Sequence, residues 1–205
     1  MLEGKFMDAV LFDVGGVLVE YSEYKHTEYL AEMMRKRRKI DVKQVYTTIE
    51  KYLDKFERGM ISKEMFVKET TSKLDISDRE LDWCGYFRKH ATPNPETIEI
   101  AKELKSKGYI VGFLSNIDKC RYAYLSRLLD FDMFDYRFAS CNIGFRKPDK
   151  RIYVEAARRM KVKVGDILFI DNTKSNVEGA LAAGMHSLLF KSARDLKTKL
   201  LRLGI

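Results

Sequence analysis

Proline is scarce in this 205-residue chain, with three residues, and twelve glycines are too few for a collagen-like repeat or a low-complexity linker. Cysteine is equally sparse. Cys84, Cys120 and Cys141 lie far apart without C-x-x-C spacing, and an odd number cannot all pair within one chain. That usage fits a reducing compartment better than a secreted disulfide scaffold. No apolar run approaches the roughly 18 to 20 residues that span a bilayer. The opening stretch MLEGKFMDAVLFDVGG is interrupted by Asp8 and Asp13, and no small-residue cleavage pattern follows it, so a signal peptide is not expected there. The expectation is a cytoplasmic protein with no membrane partner.

What is present suffices for a core: 45% of residues are apolar and 12% aromatic, too many for a disordered tail. The length suits one domain, or one domain carrying a small insertion. With 38 Lys and Arg against 30 Asp and Glu, the net charge of +8 suggests attraction to anions, with phosphorylated metabolites, nucleic acid or no particular partner all open. Charge alone does not choose between them.

Short apolar runs end repeatedly on polar residues. Ala9 to Phe12 leads into Asp13 and Gly15-Gly16, Tyr109 to Leu114 into Ser115-Asn116, and Ile167 to Ile170 into Asp171-Asn172. These read as buried strands, with further strands near Arg137 to Ser140 and Ser187 to Phe190. Helical periodicity separates them, in Ile98, Ala101 and Leu104, in Val177, Ala180, Leu181 and Gly184, and in Ala193, Leu196, Leu200 and Leu203. Strands alternating with helices predict an α/β protein with an open parallel sheet, whose ligands bind beyond the carboxyl ends of the strands.

Glu20 to His90 break the rhythm and show no strand. Val42, Val45, Tyr46, Ile49, Tyr52, Leu53 and Phe56 keep an i, i+3, i+4, i+7 pattern, and Ser77 with Glu80 makes a capping box. An all-helical insertion of roughly 70 residues is predicted, with Pro93 and Pro95 marking the return to the core. Arg35 to Lys39 reads as the solvated, cationic end of its first helix, and nucleic acid is not expected as a partner. His26, His90 and His186 make no metal constellation.

LFDVGGVL, FLSN, FRKPDKRIY and FIDNTKSNVEGALAAG, in that order, resemble motifs I to IV of the haloacid dehalogenase-like (HAD) hydrolase superfamily. The third and fourth are most similar to the sugar-phosphate (alpha-D-glucose-1-phosphate) phosphatase group. The resemblance implies a Rossmann-like, doubly wound parallel core over residues 1–19 and 91–205, with a helical cap of the C1 type over 20–90. It implies a Mg²⁺-dependent phosphomonoesterase acting on a small phosphorylated metabolite, as a monomer or homodimer.

The chemistry fits such residues. A carboxylate nucleophile splits a difficult phosphoryl displacement into two easier steps, and the transferring charge needs fixed donors and cations. Asp13 takes the nucleophile position, Ser115 with the Asn116 and Val14 amides the donor positions, and Lys147 the cation. The superfamily's second Asp, two residues after the nucleophile, is Gly15 here, so the proton shuttle is missing, and Glu20 is its candidate substitute. Asp13, the Gly15 carbonyl and either Asp171 or Asn172 form the implied Mg²⁺ set, Asn172 standing where a carboxylate is usual. Tyr153, six residues after Lys147, matches a substrate contact of metal-free 2-haloacid dehalogenases, which keeps that activity as an alternative. Gly15 and Asn172 together keep a third, a weakly active or non-catalytic phospholigand-binding protein.

Overall fold

The computed structural model describes residues 7–21, 23–38 and 41–205, with the side chains of 23, 24 and 36–38 left out. In chain order the elements are β1 (Ala9–Phe12), β2 (Val19–Glu20), α1 (Glu23–Arg38), α2 (Val42–Glu57), α3 (Lys63–Leu74), α4 (Asp78–Leu81), α5 (Trp83–His90) and β3 (Thr92–Pro93). There follow α6 (Pro95–Ser106), β4 (Ile110–Ser115), α7 (Lys119–Leu128), β5 (Tyr136–Ala139), α8 (Ser140–Ile143), α9 (Lys150–Met160), β6 (Ile167–Asp171), α10 (Lys174–Ala182), β7 (His186–Leu189) and α11 (Ala193–Arg202).

Five strands pair in parallel in the order β5-β4-β1-β6-β7. The chain runs outward from β1 on one side and then on the other, so β1 lies at the switch point where such sheets bind ligands. Its four residues are wholly buried because helices cover both faces, which explains an apolar run without polar alternation. Period two sorts them: Val10 and Phe12 pack with Val111, Phe113, Leu168 and Ile170, while Ala9 and Leu11 pack with Leu114, Phe169 and the α9 residues Ile152 and Tyr153. Phe12 is level with Phe113 and Ile170, so Asp13, Ser115 and Asp171 emerge together at one sheet edge.

The helical segment has its own buried cluster, in which Leu30 and Met34 of α1 meet Val45, Ile49, Leu53 and Phe56 of α2, Phe66 of α3 and Trp83 of α5. The α2 stripe follows the expected period, except that Val42 is exposed. The Ser77–Glu80 capping box forms at α4, and Asn94 with Pro95 starts α6. One departure falls at the neck, where Glu20 belongs to β2 and pairs antiparallel with Thr92 of β3, so the first residue of the predicted helical span is a strand residue. Gly184 lies past the end of α10, not on it.

The cysteines depart further. Cys84 of α5 and Cys120 of α7 are joined by a disulfide, leaving Cys141 free and buried. Thirty-six residues separate the pair in sequence, and the fold closes that gap by packing α5 on α7. Of the basic stretch, Arg35 pairs with Glu32 at 2.9 Å on an exposed turn. The side chains of Lys36 to Arg38, and Lys39 altogether, lie outside the described residues. Among the described residues no helix is long and apolar enough to cross a membrane.

Candidate active site

Asp13 leaves β1 with its amide on the Ile170 carbonyl at 2.7 Å, which fixes it beside β6. The chain then turns tightly, the Val14 carbonyl accepting from the Leu18 and Val19 amides at 3.0 and 2.8 Å. Gly16 has φ +79°, and a Cβ there would stand 2.2 Å from Asn172 Nδ2, so the turn lies against the loop after β6 only because this residue has no side chain. At Gly15 the nearest atom to an added Cβ is the Tyr21 carbonyl oxygen at 3.7 Å. The absent acid of motif I is therefore a chemical absence, with room for a side chain.

Lys147 is buried between two carboxylates. Its Nζ donates to Asp13 Oδ1 and to Asp171 Oδ2, each at 2.7 Å, and lies 5.1 Å from the centre of the Phe169 ring. The main chain of Lys147 is held by Asn116, whose Oδ1 accepts from the Lys147 amide at 2.8 Å and whose Nδ2 donates to the Lys147 carbonyl at 2.9 Å. Gly179 lets α10 abut this loop, since a Cβ there would meet the Pro148 carbonyl oxygen at 2.6 Å.

Two carboxylates against one ammonium leave the group with one surplus negative charge. Burial, and then the Asp171 charge, raise Asp13 to about 7, with Lys147 and the Val14 amide pulling the other way. For Lys147, burial works to lower the pKa, yet Asp13 and Asp171 override it and leave it raised. Lys147 therefore keeps its charge, while Asp13 is drawn towards its neutral form.

Asp13 Oδ1 accepts from both Lys147 and the Val14 amide, the latter at 2.7 Å. Its Oδ2 accepts no hydrogen bond from the described residues. The Val14 amide thus orients the carboxylate and is not available as a phosphate donor. The Ser115 hydroxyl, at the buried end of β4, has no hydrogen-bond partner among the described residues and lines the same cavity as Asp13. Asn116 also lines it, and both polar atoms of its side chain bond the main chain of Lys147, so its side chain braces Lys147.

Three further expectations are redirected. Asp171 is wholly buried, with Oδ2 taken by Lys147 and by Asn176 Nδ2 at 3.0 Å and Oδ1 by the Thr173 amide at 2.7 Å. Asp171 does not line the cavity, whereas Asn172 is exposed and does. Tyr153 is buried on α9 and does not line the cavity. Its hydroxyl donates to the Asn176 carbonyl at 2.7 Å, so it braces the first turn of α10 behind Asp171. Glu20 lines a neighbouring cavity of about 470 Å³, beyond Tyr21 and Asn172, and does not line the cavity holding Asp13.

That cavity measures about 440 Å³. On the helical side its wall includes Glu50 of α2, whose Oε1 accepts from Arg146 Nη1 at 2.6 Å across the opening. Neither residue drew attention in the sequence. Arg146 stands inside the third motif, beside Lys147, and was one basic residue among 38. Glu50 occupies the polar face of an amphipathic helix, where periodicity predicts only solvent.

A family model described as haloacid dehalogenase-like hydrolase matches residues 7–184. A sesquiterpene phosphatase of Aspergillus oryzae is 27% identical over 185 residues, covering 88% of each chain. A glyceraldehyde 3-phosphate phosphatase of Methanothermobacter thermautotrophicus is 38% identical over 102 residues, 49% of this chain and 45% of that protein. Among solved structures, a HAD family enzyme of Bacteroides thetaiotaomicron matches with TM-score 0.79 at 17% identity, over 96% of this chain and 99% of that one, a likeness of fold. The same enzyme in complex with magnesium and inorganic phosphate matches with TM-score 0.72 at 16% identity, over 90% and 94%. With its strand-end carboxylates, buried lysine and four motifs in order, the chain belongs to the haloacid dehalogenase-like hydrolase family and is an enzyme of it, with phosphatases among its relatives.

Proposed function

We propose that the chain is a phosphomonoesterase for a small phosphorylated metabolite, with Asp13 as nucleophile and residues 20–90 as a cap over residues 1–19 and 91–205. The observation that carries this reading is the asymmetry of Asp13. One oxygen is pinned by Lys147 and the Val14 amide, the other is unengaged, and Ser115 stands in the same cavity. The phosphatase relatives support it, while their names span a sesquiterpene and a triose phosphate, so ancestry does not choose the substrate.

Asp13 Oδ2 attacks phosphorus, the bond from phosphorus to the ester oxygen breaks, and an aspartyl-phosphate forms. Lys147 holds Oδ1 so that Oδ2 is presented, and its charge balances the phosphoryl group. The Ser115 hydroxyl and the Asn116 amide donate to the phosphoryl oxygens. Water then attacks phosphorus, and Asp13 is released. No carboxyl group occupies position 15, so the departing oxygen takes its proton from water, which favours esters whose alcohols leave readily.

The donors left over suit Mg²⁺. The Asp13 carboxylate, the Gly15 carbonyl, which accepts no backbone hydrogen bond among the described residues, and Asn172 Oδ1 are hard oxygens beside one cavity. Bound there, Mg²⁺ would supply charge neutralisation for the phosphoryl group, with only one protein carboxylate in its set and correspondingly weak affinity. The cytoplasm remains the proposed location, although the Cys84–Cys120 disulfide would there oppose the prevailing thiol poise.

A second reading, phospholigand binding with little turnover, is favoured by Gly15. Phosphate release from sugar phosphates, nucleotides and aryl phosphates, with Mg²⁺ or EDTA, decides between the two. Turnover that needs Mg²⁺ and falls at least about a thousandfold in Asp13→Asn supports the enzyme. Equal turnover in Asp13→Asn would refute it. Phosphate binding without release would favour the second reading, and Gly15→Asp, for which there is space, should then gain rate on poor leaving groups.

A further inference from the structure

Among the described carboxylates of the helical segment, Glu57 alone is fully buried. It is the last residue of α2, and it uses its two oxygens on two arginines of the sheet-bearing part. Oε1 accepts from Arg121 Nη2 at 2.6 Å, and Oε2 lies 2.7 Å from Arg146 Nε. Arg121, also fully buried, is held on its other side by Asp118, the N-cap of α7 and the third residue after Ser115. Arg146 immediately precedes Lys147. One carboxylate of the helical segment thus ties the loop carrying the buried lysine to the helix that follows Ser115 and Asn116.

The inner members balance, with Glu57 and Asp118 against Arg121 and the half-buried Arg146, which also pairs with the exposed Glu50 at 2.6 Å. Removing one member of such a buried set leaves a charge uncompensated, and the set is worth its desolvation only when every member is in place. It therefore favours a single seating of α2 on the loops below. The two sides of the Lys147 loop are held differently. Asn116 grips its main chain from the sheet, and Glu57 grips it through Arg146 from the helical segment. Glu57 is absent from the lining of the Asp13 cavity, so whatever it does for the chemistry goes through these arginines.

We propose that Glu57 is a positioning residue, which couples the seating of the helical segment to the placement of the Lys147 ammonium between Asp13 and Asp171. This rests on the phosphatase reading for its kinetic consequence, and on geometry alone for its structural one.

The test compares wild type with Glu57→Gln, which keeps the shape and removes the charge. On an aryl phosphate with Mg²⁺, kcat is expected to fall roughly 10- to 100-fold, the usual cost of losing a supporting partner, with KM little changed because the substrate never meets Glu57. The double variant Glu57→Gln with Arg146→Gln should lose no more than the worse single variant, since one grip is removed twice. Hydrogen exchange on the full chain gives the second readout. The Lys147 amide, bonded to Asn116, should lose protection about tenfold while the β1 and β6 amides keep theirs.

Folded Glu57→Gln with unchanged kcat and unchanged exchange over 145–149 would overturn the proposal, and so would strictly additive losses in the double variant. If wild type releases no phosphate from any ester, the phosphatase reading fails, while the exchange result still decides the positioning role. Should Glu57→Gln not fold, Arg146→Lys is measured by exchange alone. It keeps a cation but loses the planar fork, and undiminished protection at Lys147 would count against the coupling.

Discussion

Two buried ionic networks meet at this cavity, and they differ in balance. Its floor, Asp13, Lys147 and Asp171, has two carboxylates for one cation. Its roof seam has two of each at its core, Glu57 and Asp118 with Arg121 and Arg146, while the exposed Glu50 pairs with Arg146 at the rim. The floor keeps a surplus negative charge, and burial, with the Asp171 charge after it, raises the pKa of Asp13. A site of that kind has a use for a divalent cation. The seam offsets its inner charges within itself, so its work is to hold parts in place. Buried charge by itself does not mark chemistry; buried charge left unbalanced beside an open cavity does.

The largest effect expected from breaking this contrast comes from Lys147→Met. It strands two adjacent carboxylates in the interior, and stability to urea should fall by about 3–5 kcal/mol near neutral pH. The loss should shrink in acid as a carboxylate protonates. A loss below about 1 kcal/mol would mean that the floor is not held by the lysine.

Next comes the covalent tie on the seam. Cys84→Ser should cost about 3 to 4 kcal/mol in oxidising buffer, as expected for a loop of 36 residues, and almost nothing after reduction. Equal stability of the two proteins under oxidising conditions would show that the bond does not form.

The effect that is smallest near neutral pH concerns the helical segment. His26 is stacked on Tyr86 at 4.0 Å and on Trp83 at 4.6 Å. Burial, and then the charge of Arg121, lower it from 6.5 to about 3. Between those values the unfolded chain binds a proton that the folded chain refuses, so stability falls as pH drops from 6.5 towards 3. In His26→Phe that contribution disappears, and the slope of stability against pH should lessen by about 1.4 kcal/mol per unit in that window. Identical slopes for the two proteins between pH 6 and 4 would contradict the burial of a neutral His26.

The floor was legible in the sequence because parallel strands place their carboxyl ends on one edge. A run such as Ala9 to Phe12 therefore locates Asp13, and the same grammar locates Ser115 and Asp171. The partners of those residues were not legible. Asn116 reaches a main chain 31 residues away, and Tyr153 props a carbonyl 23 residues away, neither of which any local pattern encodes. Asn172 and Asp171 are adjacent, and only the prior claims of Lys147, Asn176 and Thr173 on Asp171 separate their uses. On the roof, Glu50 and Glu57 lie on one helix, one solvent-facing and one buried, and helical period does not tell a charged residue which arginine waits opposite. The cysteine count misled for the same reason, since spacing along the chain says nothing of α5 lying against α7.

The central claim is that Asp13 carries the phosphoryl group. Wild type mixed with a reactive aryl phosphate and Mg²⁺, quenched in acid within the first turnover and digested, should yield a phosphorylated peptide containing Asp13 by mass spectrometry. Phosphate release at an undiminished rate from Asp13→Asn, or steady turnover in wild type with no phosphoryl group ever found on Asp13, would contradict the account.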